Sequence, residues 1–157
     1  MKLLTMPPDS HGCLIYSAAM VLEVDPKVLV AEIGKDGLDT WWSDLDPPRC
    51  YRSFHIQEII DCFLERNFAL TPIEIYPVLV PQGHPENMKR TNTDEEAQKR
   101  FEEHITNRSG ILIGLHSSGG GHACAWDGRR VYDPNGNIYG LDGFFVRECW
   151  IMTEIGK

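Results

Sequence analysis

Helical rhythm fills the first two thirds of this chain and strand rhythm the last third. Residues 13–22, CLIYSAAMVL, are apolar on nearly every side and too short to cross a membrane, so they predict a helix buried in the core. The polar run PPDSH and Gly12 mark its start. A second helix follows, with Asp25 as N-cap, Pro26 at its first position and Gly34 as its stop. Residues 35–52 show no period and predict a long loop. Ser53 is expected to cap a third helix, with Ile56, Ile59, Ile60, Phe63 and Leu64 on one stripe and Asn67 as its stop. Residues 69–80 are β-branched and apolar but carry Pro72 and Pro77, which predicts an edge strand or a broken one. Thr93 and Glu96 form a capping box for a fourth helix over about 94–107, with Ala97, Phe101 and Ile105 as its buried stripe.

The pattern changes at Ser109. GILIGL (110–115) predicts a central strand, HACAW and RRVYDP predict a hairpin around Asp127-Gly128, and FFVRECWIM (144–152) predicts a final strand. Helices first and strands second indicate an α+β domain, not an alternating parallel sheet. With no repeat or linker, residues 1–157 read as one domain.

Composition narrows the function classes. The formal net charge of -8 argues against nonspecific nucleic-acid binding, and no apolar run long enough for a membrane helix occurs. MKLLTMPPDS is broken too early by prolines to be a secretory signal. The five cysteines, Cys13, Cys50, Cys62, Cys124 and Cys149, are odd in number and form no CxxC pair. They predict free thiols in a reducing, cytoplasmic setting rather than a disulfide framework or zinc knuckle. His55, His104 and His116 have no ligand-spaced partners, so no metal or cofactor is expected.

The hairpin carries the first chemical signal. If Asp127-Gly128 is a two-residue turn, Trp126 faces Arg129 and His122 lies directly opposite Asp133. A longer loop that keeps both on one face makes them diagonal neighbours instead. In either arrangement the carboxylate can hold one imidazole nitrogen and leave the other for proton transfer. A purely structural cross-strand pair has the same pattern.

A histidine acting on a proton needs a nucleophile. Cys13 opens the buried first helix, where unpaired amides and the helix dipole favour a thiolate and can stabilise an oxyanion. Gly12 allows a substrate backbone to approach. The alternative is a small core residue at a helix start. Cys124 is the rival nucleophile, two residues from His122 on the same strand face but away from any helix terminus.

The order of these pieces resembles the papain-like cysteine peptidases, closest to the peptidase C39-like group. GCLIYSAAMVLEVDPKVLVAEIGKDG is similar to that group's nucleophile helix, its second helix and its loop. GILIGLHSSGGGHACAWDGRRVYDPNG is similar to its His strand and Asp-Pro return strand, and LDGFFVRECWIM to its closing segment. The likeness covers most of the chain outside about 68–105. It implies a papain-like fold with helices packed on an antiparallel sheet. It also implies Cys13 as nucleophile, His122 as general base and acid, and Asp133 as orienting residue, cleaving a peptide, isopeptide or side-chain amide in a protein or peptide through a thioester. The same triad serves an acyltransferase, transglutaminase or deamidase. Family members usually carry an upstream glutamine in the oxyanion hole; here that position is Pro7. The Cys13 amide then remains, with Ser10 or His11 as substitutes, and Asp9 unable to donate when ionised. A binding protein that kept the fold without the chemistry is the third reading. Gly12, Trp41, Trp42 and Gly121 are expected along the substrate cleft, and the polar stretch 81–93, with His84, is a candidate lid.

Overall fold

The computed structural model describes residues 1–8, 10–38, 40–42, 49–51, 53–75, 94–115 and 120–156. Asp9, Pro77, the candidate lid with His84, Thr93 and His116 lie outside the described residues, as do the side chains of Trp41, Trp42 and Cys50.

Helix α1 (Cys13–Leu22) and helix α2 (Pro26–Ile33) form where the pattern places them. Leu14, Ile15, Ala18, Ala19, Met20 and Val21 of α1 are buried, as an all-round apolar helix requires. The Asp25 side chain accepts from the Lys27 amide at 2.9 Å and Gly34 ends α2. The segment expected to be a loop instead holds a short antiparallel ribbon, β1 (Thr40–Trp42) paired with β2 (Arg49–Tyr51).

Helix α3 (Ile56–Leu64) is capped by His55, not Ser53. Ser53 has φ 76°, whereas an N-cap needs the extended backbone that His55 has (φ −95°, ψ 147°). His55 Nδ1 accepts from the Gln57 amide, and Glu58 accepts from the His55 amide at 2.7 Å. Strand β3 (Phe68–Glu74) is an edge strand, the position that tolerates Pro72. Helix α4 (Asp94–Ile105) buries Ala97, Phe101 and Ile105 as expected.

The remaining strands are β4 (Gly110–Leu115), β5 (Gly121–Trp126), β6 (Val131–Asp133), β7 (Asn137–Tyr139) and β8 (Phe145–Glu154). They join β3 in a six-stranded antiparallel sheet of order β3-β8-β4-β5-β6-β7. The chain is thus α+β, with helices packed on an antiparallel sheet. One core joins α1, α2 and α3 to the sheet through Ile111, Ala123, Ala125 and Tyr132. A second joins α4 to Leu112, Cys124, Trp126, Val131, Cys149 and Ile151. Removing a side chain such as Ile15 or Phe101 from either core costs about 2–5 kcal/mol. Among the described residues no helix is long and apolar enough to cross a membrane.

Candidate active site

The β5–β6 hairpin differs from the two-residue turn that Asp127-Gly128 predicts. Its ladder pairs Trp126 with Val131 and Ala125 with Tyr132, so four residues, 127–130, close the loop. Two sets of interactions accompany this wider turn. Asp127 Oδ1 accepts from the Arg129 amide at 2.9 Å and the Arg130 amide at 2.7 Å, which spreads the turn over the following residues. Gly128, at φ 95°, lies against the backbone of Asn107 and Arg108 and its carbonyl accepts from the Asn107 amide at 2.9 Å. The register therefore shifts by two. His122 and Asp133 are not directly opposed; they are diagonal neighbours on one face, and Cys124 takes the position across from Asp133.

The pair forms nonetheless. The ladder stops after two residue pairs, and beyond it side chains bridge the strands. His122 Nε2 and Asp133 Oδ1 are 2.9 Å apart, with both residues buried. Asp133 Oδ1 also accepts from the Asn135 amide at 2.8 Å, and Oδ2 accepts from the Tyr139 hydroxyl at 2.7 Å. The Asn135 side-chain nitrogen lies 3.5 Å from His122 Nε2, and the edge of the Phe144 ring meets the imidazole with centroids 6.0 Å apart. Burial works against a charged imidazole, but the Asp133 hydrogen bond, with Cys124 and Cys13 as further partners, outweighs it and pushes the His122 pKa up to about 12. Burial likewise opposes the Asp133 carboxylate, but the bonds from His122, Tyr139 and the Asn135 amide bring it down to about 2.

The Asp-Pro turn also holds the segment that leads into α1. The Met6 amide donates to the Pro134 carbonyl at 2.8 Å, which ties the N-terminal segment to the residue after Asp133. That anchor delivers the start of α1 to the hairpin. The first intrahelical bond runs from the Tyr16 amide to the Gly12 carbonyl, so the amides of Cys13, Leu14 and Ile15 precede the intrahelical series. Cys13 is partly exposed, and its thiol is among the groups that favour the charged form of His122. Nε2 faces Asp133, which leaves Nδ1 as the other ring nitrogen.

The other described thiols differ in kind. Cys124 also partners His122, but it is fully buried, and burial raises its pKa despite that bond. Burial pushes Cys62 up to about 11 and raises Cys149 as well. These three remain protonated and shielded, the behaviour of inert core thiols.

His122, Cys124 and Asp133 bring their ligating atoms within 4.8 Å of one another, a donor set of the kind that soft divalent cations take. Their hydrogen bonds already satisfy them without an ion: Asp133 uses both oxygens, and the Cys124 sulfur lies 3.8 Å from the Tyr139 hydroxyl.

The remaining expected residues divide. Ser10 stands beside Cys13, its Oγ accepting from the Gly12 amide at 3.1 Å, while His11 is exposed. Gly121 does not line the cavity at the His122–Asp133 pair. That cavity, about 360 Å³, is walled by Leu115, His122, Asp133, Tyr139, Gly143, Phe144 and Phe145. Gly121 lines a neighbouring one of about 430 Å³, which shares Leu115 and Phe145 with it. Of Trp41 and Trp42 only the β1 backbone is described. Sequence reasoning missed Tyr139 and Asn135, because each reaches Asp133 through a tight turn whose register is not written in the hydrophobic pattern. The DPNG turn itself was the available signal. No protein-family model, curated protein or solved structure matches the chain.

Proposed function

We propose that the protein is a cysteine-dependent hydrolase of papain-like type, cleaving an amide bond in a protein or peptide through a thioester on Cys13. The observation that carries this reading is the meeting of three features: a partly exposed thiol at a helix start, a buried imidazole whose charged form that thiol favours, and a buried carboxylate hydrogen-bonded to the ring. Free thiols at Cys13, Cys62, Cys124 and Cys149 suit a cytoplasmic setting.

The raised proton affinity of His122 defines its role. A ring that holds its proton at neutral pH is a proton donor rather than a vacant base, and the reacting form of the nucleophile beside it is the thiolate. The Cys13 thiolate attacks the carbonyl carbon. The imidazolium then gives its proton to the departing amine as the C–N bond breaks. The neutral ring takes a proton from water, whose oxygen attacks the thioester. Expulsion of the thiolate releases the acid and restores the ion pair. Asp133 stays ionised throughout and holds the ring. The Cys13 amide supplies one oxyanion donor, and Ser10 keeps its hydroxyl proton as a second. A missing donor of this type typically lowers the rate by about 10²–10³.

Alkylation with limiting iodoacetamide and peptide mapping tests the reading. Cys13 should react first, and His122→Ala should slow it. Equal labelling of Cys13 and Cys62, or indifference to His122→Ala, would sink the proposal.

A further inference from the structure

One side chain that holds Asp133 comes from a segment to which the proposed chemistry gives no role. Tyr139 ends β7, diagonal to Asp133 across the β6–β7 ladder, in which Val131 pairs with Tyr139 and Asp133 with Asn137. Its hydroxyl donates to Asp133 Oδ2 at 2.7 Å while His122 Nε2 holds Oδ1 at 2.9 Å. The two donors fix both ends of the carboxylate, so its plane cannot turn without breaking one of them. The Cys124 thiol lies 3.8 Å from the same hydroxyl oxygen and is the remaining donor available to it. Directly after Tyr139 the chain makes a 3-10 turn, Leu141–Gly143, and returns Phe144 against the imidazole. Gly143 makes this return possible: a Cβ there would stand 2.9 Å from the Tyr139 ring.

We infer that Tyr139 is a positioning residue for the catalytic pair, acting through Asp133 to aim His122 at Cys13, with the 139–144 turn as a clamp that grips the pair from both sides. The inference rests on the proposed thiol chemistry but not on any particular substrate. The titratable groups facing the ring among the described residues are Asp133 from β6, Cys124 from its own strand and Cys13 from α1, with Tyr139 behind the carboxylate.

Two readouts on the full chain test it. The first is the pH profile of Cys13 alkylation by iodoacetamide in the wild type, Tyr139→Phe and Gly143→Ala. Tyr139→Phe removes the hydroxyl and keeps the ring; Gly143→Ala displaces the ring and keeps the hydroxyl. Both should move the midpoint upward and slow labelling at pH 7 by about tenfold, the weight of one hydrogen bond to a charged group. An unchanged or lowered midpoint overturns the inference, even if the melting temperature falls, because lost packing alone moves only the latter. The second readout is the Nε2–H resonance of His122, followed by NMR in histidine-labelled protein. Its upfield shift or broadening in Tyr139→Phe supports the clamp; an identical signal overturns it. Because that signal reports on the His122–Asp133 bond alone, it separates failure of the clamp from failure of Cys13 as nucleophile, which His122→Ala alkylation reveals.

Discussion

Asp127 and Asp133 begin the two turns at opposite ends of β6, and both use the same local device. Each accepts from the amide two residues on: Arg129 donates to Asp127 at 2.9 Å and Asn135 donates to Asp133 at 2.8 Å. Asp127 takes a second turn amide, that of Arg130, on the same oxygen. Asp133 is buried and takes a histidine and a tyrosine instead. The turn beside Asp127 is fastened to the body by backbone and indole bonds, the Asn107 amide to Gly128 and Trp126 Nε1 to the Ile105 carbonyl at 2.9 Å. At the other end the β5–β6 ladder has stopped, and polar side chains bridge those two strands. An aspartate that closes a turn is thus a starting point; burial and a second set of donors turn one of the two into a site.

The sharpest contrast should appear in reactivity. Asp133→Asn leaves the turn geometry nearly isosteric but deprives the imidazolium of its counter-charge. Iodoacetamide labelling of Cys13 should fall by roughly 10²-fold, the middle of the range an adjacent opposite charge commands. Asp127→Asn should leave the labelling rate unchanged. Equal effects from the two would reduce Asp133 to a turn residue.

Stability should separate them next. Asp133→Ala strands a buried charged ring, a loss of about 3–5 kcal/mol. Asp127→Ala removes turn hydrogen bonds that water can partly replace, a loss of about 1 kcal/mol. Urea midpoints at constant slope would measure both.

The pH dependence follows from the directions of the shifts. His122 is raised from 6.5 to about 12, so the stability it contributes is fully present below 6.5 and lost as pH rises toward 12. Asp133 is lowered from 3.8 to about 2, so its contribution is present above 3.8 and lost as pH falls toward 2. The two describe largely one hydrogen bond and do not add. Thermal stability should therefore be highest between pH 3.8 and 6.5 and decline on both sides. Asp133→Asn should flatten both limbs. Asp127 is also lowered, its turn amides outweighing burial, so Asp127→Asn should soften the acid limb only. A Tm profile of Asp133→Asn parallel to the wild type would refute the coupling.

How much of this was written in the sequence depends on the range of the forces involved. The bounds of α1 and α2, the edge position of β3 and the central position of β4 follow from periodicity, caps and proline, all local signals. The residues of the candidate site were legible too, because Cys13 opens an unbroken apolar helix and His122 and Asp133 flank a turn dipeptide. Their register was not. The wider turn goes with a contact of Gly128 on Asn107 and Arg108, twenty residues away in the chain, and no pattern along β5 or β6 encodes that contact. The cap of α3 failed for a smaller reason: Ser53 has the right side chain, but its backbone is left-handed. Tyr139 was invisible because its role exists only after the second turn has closed.

The glycines of the two turns offer the finest test, since each has positive φ and only one is crowded. At Gly128, φ is 95° and an added Cβ would lie 2.8 Å from the Asn107 Cα and 2.9 Å from the Arg108 nitrogen. At Gly136, φ is 101° and the nearest atom is the Thr5 methyl at 3.4 Å. Gly128→Ala therefore combines backbone strain with a clash against main chain that cannot yield, and should cost about 2–3 kcal/mol. Gly136→Ala bears the strain alone, about 1 kcal/mol. For reactivity the ranking should invert. Gly136 donates its amide to the Asp133 carbonyl at 2.9 Å, so strain there reaches the carboxylate that holds His122. Gly128 lies past the paired end of the ladder, where Trp126 and Ala125 keep β5 in register. Gly136→Ala should thus slow Cys13 labelling by a few-fold, comparable to a loosened hydrogen bond of about 0.5–1 kcal/mol. Gly128→Ala should not slow it, despite its larger effect on Tm. If labelling tracks Tm across both variants, the two turns share one mechanical unit and the division between a structural and a chemical end of this hairpin is wrong.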